Sequence, residues 1–332
     1  MYFAWKAAVP ANEPERRPVP MTLSAVVVVD KPRGMTSHDV VSRARRALRT
    51  KDIGHAGTLD PMATGVLVLG VGQGTKLLTF LSAEDKVYEA TVALGETTET
   101  LDADGHTWTK AEVPHATLEA LRGVERDPRA VPALIAAAIA AELARTEQIP
   151  PAYSAIHTGG ERAHELARKG VNVHLPPRPV AVHELRVTSA SASIPCLTLR
   201  VRADKGYYVR SLGRDLGEAL GTVAHLSALR RVRSGSFDVA DACTLASLSE
   251  TGPRHPNLLG LAKAACLALP SVTLDESAVV EARHGKLVHH AGISGGPEGP
   301  VAWLGPSGDL VAIGAKIPSG EGRVVRGFSP TD

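Results

Sequence analysis

The chain has 332 residues, of which 44% are hydrophobic, so it can bury a substantial core and form one large domain with a smaller one. Its three widely spaced cysteines exclude a disulfide framework and a CxxC zinc or redox site, and they favour a reducing, cytoplasmic location. No apolar run reaches the roughly 18 to 20 residues of a membrane span. The net charge of +2 conceals a segregation of positive and negative residues, because Lys and Arg outnumber Asp and Glu in residues 22–82 and 151–235. If these two segments meet in the fold, they form a positive face for a nucleic acid. The alternative is that each basic run is simply the solvated face of a helix.

Residues 1–22 carry four prolines, mixed charge and no hydrophobic periodicity, which predicts a disordered N-terminal extension. The segment lacks the apolar core of a signal peptide, and its glutamates, Glu13 and Glu15, are unlike a transit peptide. These features raise the hypothesis that Met21 is the true start of the protein.

A β-branched strand is predicted from Ala25 to Val29, followed by the turn-forming sequence "DKPRGMTSHD", in which Thr36 or Ser37 can cap a helix. The helix, "HDVVSRARRALRT", places its valines, alanines and leucine on one stripe. The arginines lie mostly off that stripe and form a basic face: Arg43, Arg45, Arg46 and Arg49.

The stretch "GHAGTLDPMATGVLVLG" presents a single carboxylate, Asp60, between a glycine-rich approach and a long apolar run that predicts a strand at residues 66–69. Asp followed by Pro commonly begins a helical turn, so a helix cap is one interpretation. A ligand site is the other, because Gly54 and Gly57 remove side chains on the approach and Pro61 biases Asp60 away from the helical region.

The next motif, "GVGQGTK" at residues 70–76, resembles a phosphate-binding loop only superficially, because it lacks the spacing of a P-loop. Turn formation is the favoured interpretation, and a nucleotide-dependent transferase is the alternative. The thirteen histidines form no cluster at zinc-ligand spacing, so no metal site is predicted.

The remaining elements follow in order. The strand "KVYEATVALG" alternates, and residues 105–150 are predicted to be helical, Ala-rich and acidic up to the prolines of "QIPPAYSAIH". A second alternating strand, "CLTLRVRADKG", leads into the helix of "YYVRSLGRDLGEALG", which ends at Gly221. After a surface connection near residue 250, residues 271–328 are predicted to form a small mixed β module with a hairpin about residues 306–309.

Aromatic residues make up only 4% of the chain, which draws attention to Tyr88, Tyr207 and Tyr208. A tyrosine on a half-buried strand is usually part of the core, yet a basic face interleaved with tyrosines is also what base stacking requires. Arg210, two residues after Tyr208, is either a surface arginine or the partner of a buried acid.

Several blocks resemble, in order, the bacterial TruB-type tRNA pseudouridine synthases, which isomerise the uridine at position 55 in the T arm. The blocks are "DKPRGMTSHD" (30–39), "GHAGTLDPMATGVLVLGVGQGTK" (54–76), "DKVYEATVALGETTETLDADG" (85–105), "PPAYSAIHTGGERAHELARKG" (150–170), "DKGYYVRSLGRDLG" (204–217) and "AHLSALRRVRSG" (224–235). They cover most of residues 24–240, and "GHAGTLDP" is highly specific to this group.

The resemblance implies an α+β fold. A catalytic domain over residues 23–250 would hold a mixed, largely antiparallel sheet with flanking helices and an RNA-binding cleft. A mobile loop at about 154–178 would fold over the T arm. Residues 271–328 resemble, more weakly, the small β-rich PUA-like RNA-binding domain. Two features depart from the family's common pattern: residues 105–150 align poorly, and bulky Tyr207 stands where a smaller residue is frequent.

The resemblance also implies roles for individual residues. Asp60 is implied to be the catalytic aspartate, Arg210 its ionic partner and Tyr208 a pocket tyrosine. Tyr88 would stack on the target uracil, and His55 would occupy the place that the flipped base vacates. The other implied substrate-binding residues are Lys31, Lys76, Asp102 and the pocket-wall residue Leu229, and the implied RNA-backbone contacts are Arg43, Arg46, Arg49, Arg230 and Arg231.

Pseudouridylation breaks the bond from uracil N1 to the ribose and rejoins the base through C5, so no cofactor is expected. A carboxylate with a pKa of about 3.9 is ionised at neutral pH and needs no base to activate it. Burial raises a carboxylate pKa and an adjacent arginine lowers it, so Arg210 is expected to keep Asp60 ionised.

The expected partner is the T-arm stem-loop of tRNA, with no membrane, no obligate protein partner and a monomeric state. A non-catalytic RNA-binding protein is the main alternative. Without the resemblance, the residues indicate only a cytoplasmic α/β RNA-binding protein with a candidate aspartate-based activity.

Overall fold

The computed structural model describes residues 23–330. The extension expected over residues 1–22, with the hypothesis about Met21, lies outside this range. Within the described residues, no helix is both long and apolar enough to cross a membrane.

The helices and strands alternate along the chain. The helices are Ser37–Ala47 (α1), Leu78–Leu81 (α2), His115–Arg126 (α3), Ala133–Leu143 (α4), Ala163–Arg168 (α5), Val209–Ala219 (α6), Leu245–Thr251 (α7), Leu261–Ala268 (α8), Glu276–Arg283 (α9) and Ala291–Ser294 (α10). The strands are Ala25–Lys31 (β1), Ile53–Ala56 (β2), Thr64–Val71 (β3), Lys86–Leu94 (β4), Glu96–Thr98 (β5), Thr107–Lys110 (β6), Glu147–Gln148 (β7), His157–Thr158 (β8), Glu161–Arg162 (β9), Arg178–Pro179 (β10), Val182–Ser191 (β11), Cys196–Ala203 (β12), Ala224–Ser234 (β13), Phe237–Asp238 (β14), Ser271–Thr273 (β15), Pro300–Leu304 (β16), Leu310–Lys316 (β17) and Gly322–Gly327 (β18).

The central sheet has eight strands, six of which follow the order β1-β3-β13-β4-β12-β11, while β2 pairs with β3 and β14 with β13. All of these pairs are antiparallel except β3 with β13. Because β1 covers one edge of β3, β2 and β13 share the other edge, where β13 pairs with residues 64–65 and β2 with residues 68–71. The chain between β2 and β3, residues 57–63, therefore turns at the point where β3 changes partner.

Gly65 allows β3 and β13 to approach each other at this junction. Its φ is +100°, and a Cβ atom there would lie 2.1 Å from the carbonyl oxygen of Arg231. A larger residue would be strained in its backbone and would push the two strands apart.

The sheet is buried on both faces, with three clusters of apolar side chains. Val27, Val29, Leu67 and Leu69 contact α1 and α7, while Val26, Val28, Val66 and Val68 contact α8 and the C-terminal module. Strands β4, β12 and β13 pack against α3, α4 and α6 in the largest cluster. The C-terminal module, β15 to β18 with α9 and α10, has its own core around Trp303 and contacts the rest of the chain through Leu310, Ile313 and Phe328.

The expected fold class, a mixed and largely antiparallel sheet with flanking helices and a small β-rich C-terminal module, is confirmed. Thr36 caps α1 with a capping box, and the strands predicted around residues 25–29, 66–69 and 197–203 are present. The helical prediction for residues 105–150 is confirmed for α3 and α4. It is wrong at residues 107–110, where β6 pairs with β5, and at residues 127–132, which include two prolines.

Candidate active site

Asp60 lies in the turn between β2 and β3. The backbone amide of Ala63 donates to the Asp60 carbonyl at 3.1 Å, and no helix begins at Pro61. The helix-cap interpretation of Asp60 is therefore wrong. The side chain is 32% exposed, so Asp60 is partly buried.

Asp60 is held by both nitrogens of one face of the Arg210 guanidinium. Arg210 Nε lies 2.9 Å from Asp60 Oδ2, and Nη2 donates to Oδ1 at 3.2 Å. Arg210 is itself only 8% exposed in its side chain and also donates to the carbonyl oxygens of Thr100 and Tyr153, each at 2.9 Å. Four hydrogen-bonding contacts thus fix the guanidinium, and a bidentate pair of this kind fixes the carboxylate plane as well.

The pKa of Asp60 is raised above its ordinary value because burial disfavours the charged carboxylate. Arg210 and, less strongly, Lys31 oppose this shift, while the nearby carboxylates of Asp102 and Asp104 add to it. Arg210 was expected to keep Asp60 ionised, and it does lower the pKa of Asp60. The effect of desolvation on that pKa is larger, however, so the net shift is upward.

Lys31 is fully buried at the end of β1 and fixes the Asp60 turn. Its ammonium donates to the carbonyl oxygens of Pro32, Pro61 and Ala63, at 3.1, 3.1 and 2.6 Å. An ammonium has three protons, and all three are used here. Burial lowers the pKa of Lys31 to about 8, and Asp60 opposes the shift. Lys31 therefore holds the turn through backbone carbonyls, whereas the family resemblance implied that it binds the substrate.

Arg231 also departs from its predicted role. Its residue exposure is 1%, and its guanidinium donates to the carbonyl oxygens of Val66 at 2.7 Å and Gly57 at 3.1 Å. It thus bridges the gap on β3 between β2 and β13 and cannot reach an RNA phosphate. The neighbouring Arg230 points the other way, is 37% exposed and forms a bidentate pair with Asp30, with its shorter contact at 2.8 Å.

An apolar and aromatic wall adjoins the Asp60 turn. Tyr88 on β4 and Leu229 on β13 belong to the largest hydrophobic cluster, together with Leu59 and Met62 from the turn itself. Tyr208 precedes α6 and packs against Ile156, Val173 and Leu175 of the 154–178 segment. The pKa of Tyr208 is raised by burial, so its phenol stays protonated. The structure therefore brings Arg210 and Tyr208 close to Asp60, and it places Tyr88 and Leu229 in the same hydrophobic cluster as Leu59 and Met62.

His55 lies on β2, before the Asp60 turn. Its Nδ1 is buried, and none of the described residues forms a hydrogen bond with it. Its pKa is lowered, chiefly by burial and then by the charge of Arg231, so the ring is neutral at pH 7.

The other implied substrate-binding residues separate into two places. Asp102 is 4% exposed, accepts from Thr100 and from the Asp104 amide, and lies 3.7 Å from Arg210, so it belongs to the Asp60 cluster. Lys76 does not, because its ammonium donates to Gln73 at 3.1 Å and to the Gly327 carbonyl at 3.0 Å of the C-terminal module. The motif "GVGQGTK" forms a tight helical turn over Gly72–Leu77 and not an open phosphate cradle.

The basic face predicted on α1 is present. Arg43, Arg46 and Arg49 are exposed and, with Arg254, line an open groove of about 700 Å³ between α1 and the end of α7. Within residues 23–330, no group of three or more His, Cys, Asp or Glu side chains is arranged to hold a metal ion.

The residues that hold Tyr208 and Arg210 carry no recognisable signal in the sequence. The carboxamide of Gln148 accepts a hydrogen bond from the Tyr208 amide and donates one to the Tyr208 carbonyl. The backbone carbonyls of Thr100 and Tyr153 accept hydrogen bonds from Arg210. These contacts use backbone atoms or join residues about 60 or more positions apart, so no local pattern of residue types signals them.

Comparison with known proteins defines first the class of enzyme. Residues 45–209 match the model described as "TruB family pseudouridylate synthase (N terminal domain)", and residues 210–254 match "tRNA pseudouridylate synthase B C-terminal domain". The class is therefore pseudouridylate synthase, as the sequence resemblance implied. The matched ranges end before residue 271, so the PUA-like character of the last module stays a prediction.

Close relatives then define the family. The chain is 39% identical over 319 residues to tRNA pseudouridine synthase B of Arthrobacter sp., covering 93% of this chain and 98% of the relative. It is 41% identical over 310 residues to the protein of the same name from Thermobifida fusca, covering 92% and 98%. A solved Cbf5-Nop10-Gar1 complex contains a chain with TM-score 0.67 and 26% identity, covering 95% of this chain and 88% of that one. The chain belongs to the TruB family of pseudouridine synthases.

Proposed function

We propose that this tRNA pseudouridine synthase modifies the uridine at position 55 of the T arm and that Asp60 is its catalytic group. The observation that carries this proposal is the Asp60 carboxylate, which Arg210 holds in a bidentate contact close to Tyr208. The family name of the close relatives agrees with tRNA as the substrate.

The reaction is an isomerisation that this site can support without a further reactant. The bond between uracil N1 and ribose C1′ breaks, the base turns, C5 bonds to C1′, and the hydrogen lost from C5 is matched by one gained at N1. Asp60 provides the negative charge that the reacting ribose and base require, and it must be ionised to do so. Arg210 favours that ionised form and fixes its orientation.

Uridine 55 lies inside a folded RNA arm, so it must be extruded at a cost of a few kcal/mol. Stacking on Tyr88 offsets about 1 to 3 kcal/mol of that cost. Leu229 and Tyr208 would form the pocket wall, and His55 would fill the place of the extruded base. Phosphate contacts from Arg43, Arg46, Arg49 and Arg230 would add affinity without base specificity.

We propose in addition that the enzyme acts as a monomer in the cytoplasm, where its tRNA substrate is found, and needs no obligate protein partner. The 154–178 segment, which includes the β8–β9 hairpin and α5, would close over the T arm. Light scattering of the purified enzyme, alone and with one equivalent of tRNA, tests the 1:1 stoichiometry.

Asp60→Asn tests the catalytic proposal, because it keeps the size of the side chain and removes its charge. We expect the variant to form no pseudouridine on an unmodified tRNA transcript, while its affinity for that transcript changes by less than about threefold. Mapping of the modified nucleotide should place it at position 55 in the wild-type reaction.

Asp127→Asn is the matched control, because Asp127 is exposed after α3 and remote in sequence from every site residue. It should retain wild-type activity. Turnover by Asp60→Asn, or an equal loss of binding and turnover, would contradict the proposed role.

A further inference from the structure

The chain from Glu142 to Tyr153 runs along the start of α6 and contacts it repeatedly. Gln148 accepts from the Tyr208 amide at 2.9 Å and donates to the Tyr208 carbonyl at 3.2 Å. The Ile149 carbonyl accepts from the Ser211 hydroxyl at 2.8 Å, and the Tyr153 carbonyl accepts from Arg210 at 2.9 Å. This segment thus contacts both Tyr208, through its backbone, and Arg210, through its side chain.

A buried polar link anchors the beginning of that segment. The Tyr207 hydroxyl donates to Glu142 Oε1 at 2.8 Å, and Glu142 is only 2% exposed although it carries a carboxylate. Arg145 binds the other oxygen of Glu142 at 2.7 Å and reaches Asp215 of α6 at 3.3 Å. Burial and the charge of Glu142 raise the pKa of Tyr207, so its hydroxyl stays protonated and remains the donor.

We propose that the Tyr207–Glu142 hydrogen bond positions the peptide before α6 so that Tyr208 and Arg210 contact the Asp60 carboxylate. This proposal rests on the proposed catalytic function of Asp60. Tyr207 directly precedes Tyr208 and lies three residues before Arg210. The link joins this point to α4, and the chain after α4 returns to the same point at Gln148 and Tyr153.

The link joins Tyr207, directly before Tyr208, to Glu142 of α4, which lies 65 positions earlier in the chain. A buried carboxylate is costly to desolvate, and apolar replacements of such groups are often as stable. What the link adds is a fixed geometry, because a hydrogen bond to a carboxylate is directional whereas an apolar contact is not.

Tyr207→Phe tests the proposal by removing one hydroxyl from the buried link. We expect kcat for pseudouridine formation to fall about 10- to 100-fold, because small misplacements of catalytic groups have effects of this size. The dissociation constant for tRNA should change by less than twofold. The acid limb of the pH–rate profile should move to higher pH, since Asp60 faces Arg210, Lys31, Asp102, Asp104 and Tyr208 and a displaced Arg210 would lower its pKa less.

Thr117→Val is the matched control. The buried Thr117 hydroxyl donates to the Leu220 carbonyl at 2.8 Å, at the opposite end of α6. The substitution removes one buried hydrogen bond to the helix without touching the residues before it. We expect a lower melting temperature with an unchanged acid limb and an unchanged kcat below the melting transition.

Two further variants distinguish positioning from general damage. Glu142→Gln keeps an oxygen acceptor for Tyr207 and should retain most of the activity that Tyr207→Phe loses. In an Arg210→Ala background, Tyr207→Phe should add less than about a twofold further loss, because two residues that act through one contact are not additive.

The proposal is overturned if Tyr207→Phe leaves kcat and the acid limb unchanged, if Thr117→Val moves the acid limb equally, or if the losses multiply in the Arg210→Ala background. A wild-type enzyme that forms no pseudouridine on tRNA would instead contradict the proposed function, so the two failures are separable in one set of assays.

Discussion

At Asp60, burial and ion pairing act in opposite directions on one carboxylate. Desolvation raises the pKa of Asp60, and Arg210 lowers it through a bidentate contact. A carboxylate that is fully solvated would be ionised but poorly placed to stabilise developing charge, whereas a buried one without a cation would be protonated. The Arg210 contact is therefore needed for the charge as well as for the orientation of Asp60.

The raised pKa predicts the pH dependence of the wild-type enzyme. Only the ionised carboxylate is active, so the rate should fall as the pH is lowered through the pKa of Asp60 in the folded enzyme, which lies above the ordinary carboxylate value. Arg210→Ala removes the group that lowers this pKa, so its acid limb should move upward by about 1 to 3 pH units. Single-turnover rates measured across pH give the acid limb of the wild-type enzyme and that of Arg210→Ala.

The same variant separates two roles of Arg210. We expect Arg210→Ala to lower turnover far more than tRNA affinity, because Arg210 is nearly buried and contacts Asp60. Arg186→Ala, which removes an exposed arginine paired with Glu184, is the control and should change neither quantity much. Equal losses of turnover and affinity in Arg210→Ala would mean that Arg210 is a phosphate contact.

At the scale of elements, two adjacent residues of β13 do different work. Arg231 is buried and binds the backbone carbonyls of Val66 on β3 and of Gly57 in the turn after β2, whereas Arg230 is partly exposed and paired with Asp30. Alternation along a strand sends successive side chains to opposite faces, which accounts for the difference.

Arg231→Met and Arg230→Met should therefore have opposite phenotypes. Arg231→Met removes the donor to the buried Val66 carbonyl and to the partly buried Gly57 carbonyl and should lower the free energy of unfolding by about 1.5 to 3 kcal/mol. Arg230→Met removes a partly exposed ion pair worth about 0 to 1 kcal/mol, and should instead weaken tRNA binding. Urea denaturation and a filter-binding assay measure the two effects; a stability loss confined to Arg230→Met would refute the assignment.

Sequence periodicity and turn residues predicted the strands β1, β3, β4 and β12 and the helices α1 and α6, because a buried face with a period of 2 or 3.6 residues is visible in the local sequence. The long strands β11 and β13 were not predicted. The hairpin β5–β6 was missed, since its strands are three and four residues long and β6 is fully exposed. The family resemblance implied that Lys31 binds the substrate and that Arg231 contacts the RNA backbone. In the structure both cations bind backbone carbonyls, and no local sequence pattern indicates such contacts. The pair of Asp60 and Arg210 came from family resemblance alone, since nothing local connects residues so far apart.

At the scale of the whole molecule, the net charge is nearly balanced, and α1 with the two residues that follow it carries the exposed arginines Arg43, Arg46 and Arg49. Ser37, at the start of α1, exchanges hydrogen bonds with the Leu59 backbone at 2.9 and 3.1 Å. The basic face of α1 is thus connected rigidly to the residue that precedes Asp60, so phosphate contacts there would also orient the RNA.

The affinity for tRNA should decrease steeply with salt, with a slope of log K against log salt of about −0.7 to −0.9 for each phosphate contacted. The triple variant Arg43→Gln, Arg46→Gln, Arg49→Gln should flatten this slope and leave the single-turnover rate at saturating enzyme unchanged. The control triple, Arg122→Gln, Arg126→Gln, Arg129→Gln, makes the same change in charge on the exposed surface of the 105–150 segment. A flat slope in the wild type, or equal slopes in both triples, would exclude phosphate contacts by α1.

Asp60 and Arg210 are 150 residues apart in the chain, and β13, which completes the edge beside the Asp60 turn, comes later still. During synthesis on a ribosome, the aspartate emerges long before its guanidinium partner, and the strand that borders it follows only afterwards. A nascent or truncated chain that stops before residue 210 would therefore carry the reactive acid but no assembled cleft. The catalytic activity should appear in a single step of chain growth rather than accumulate gradually with length.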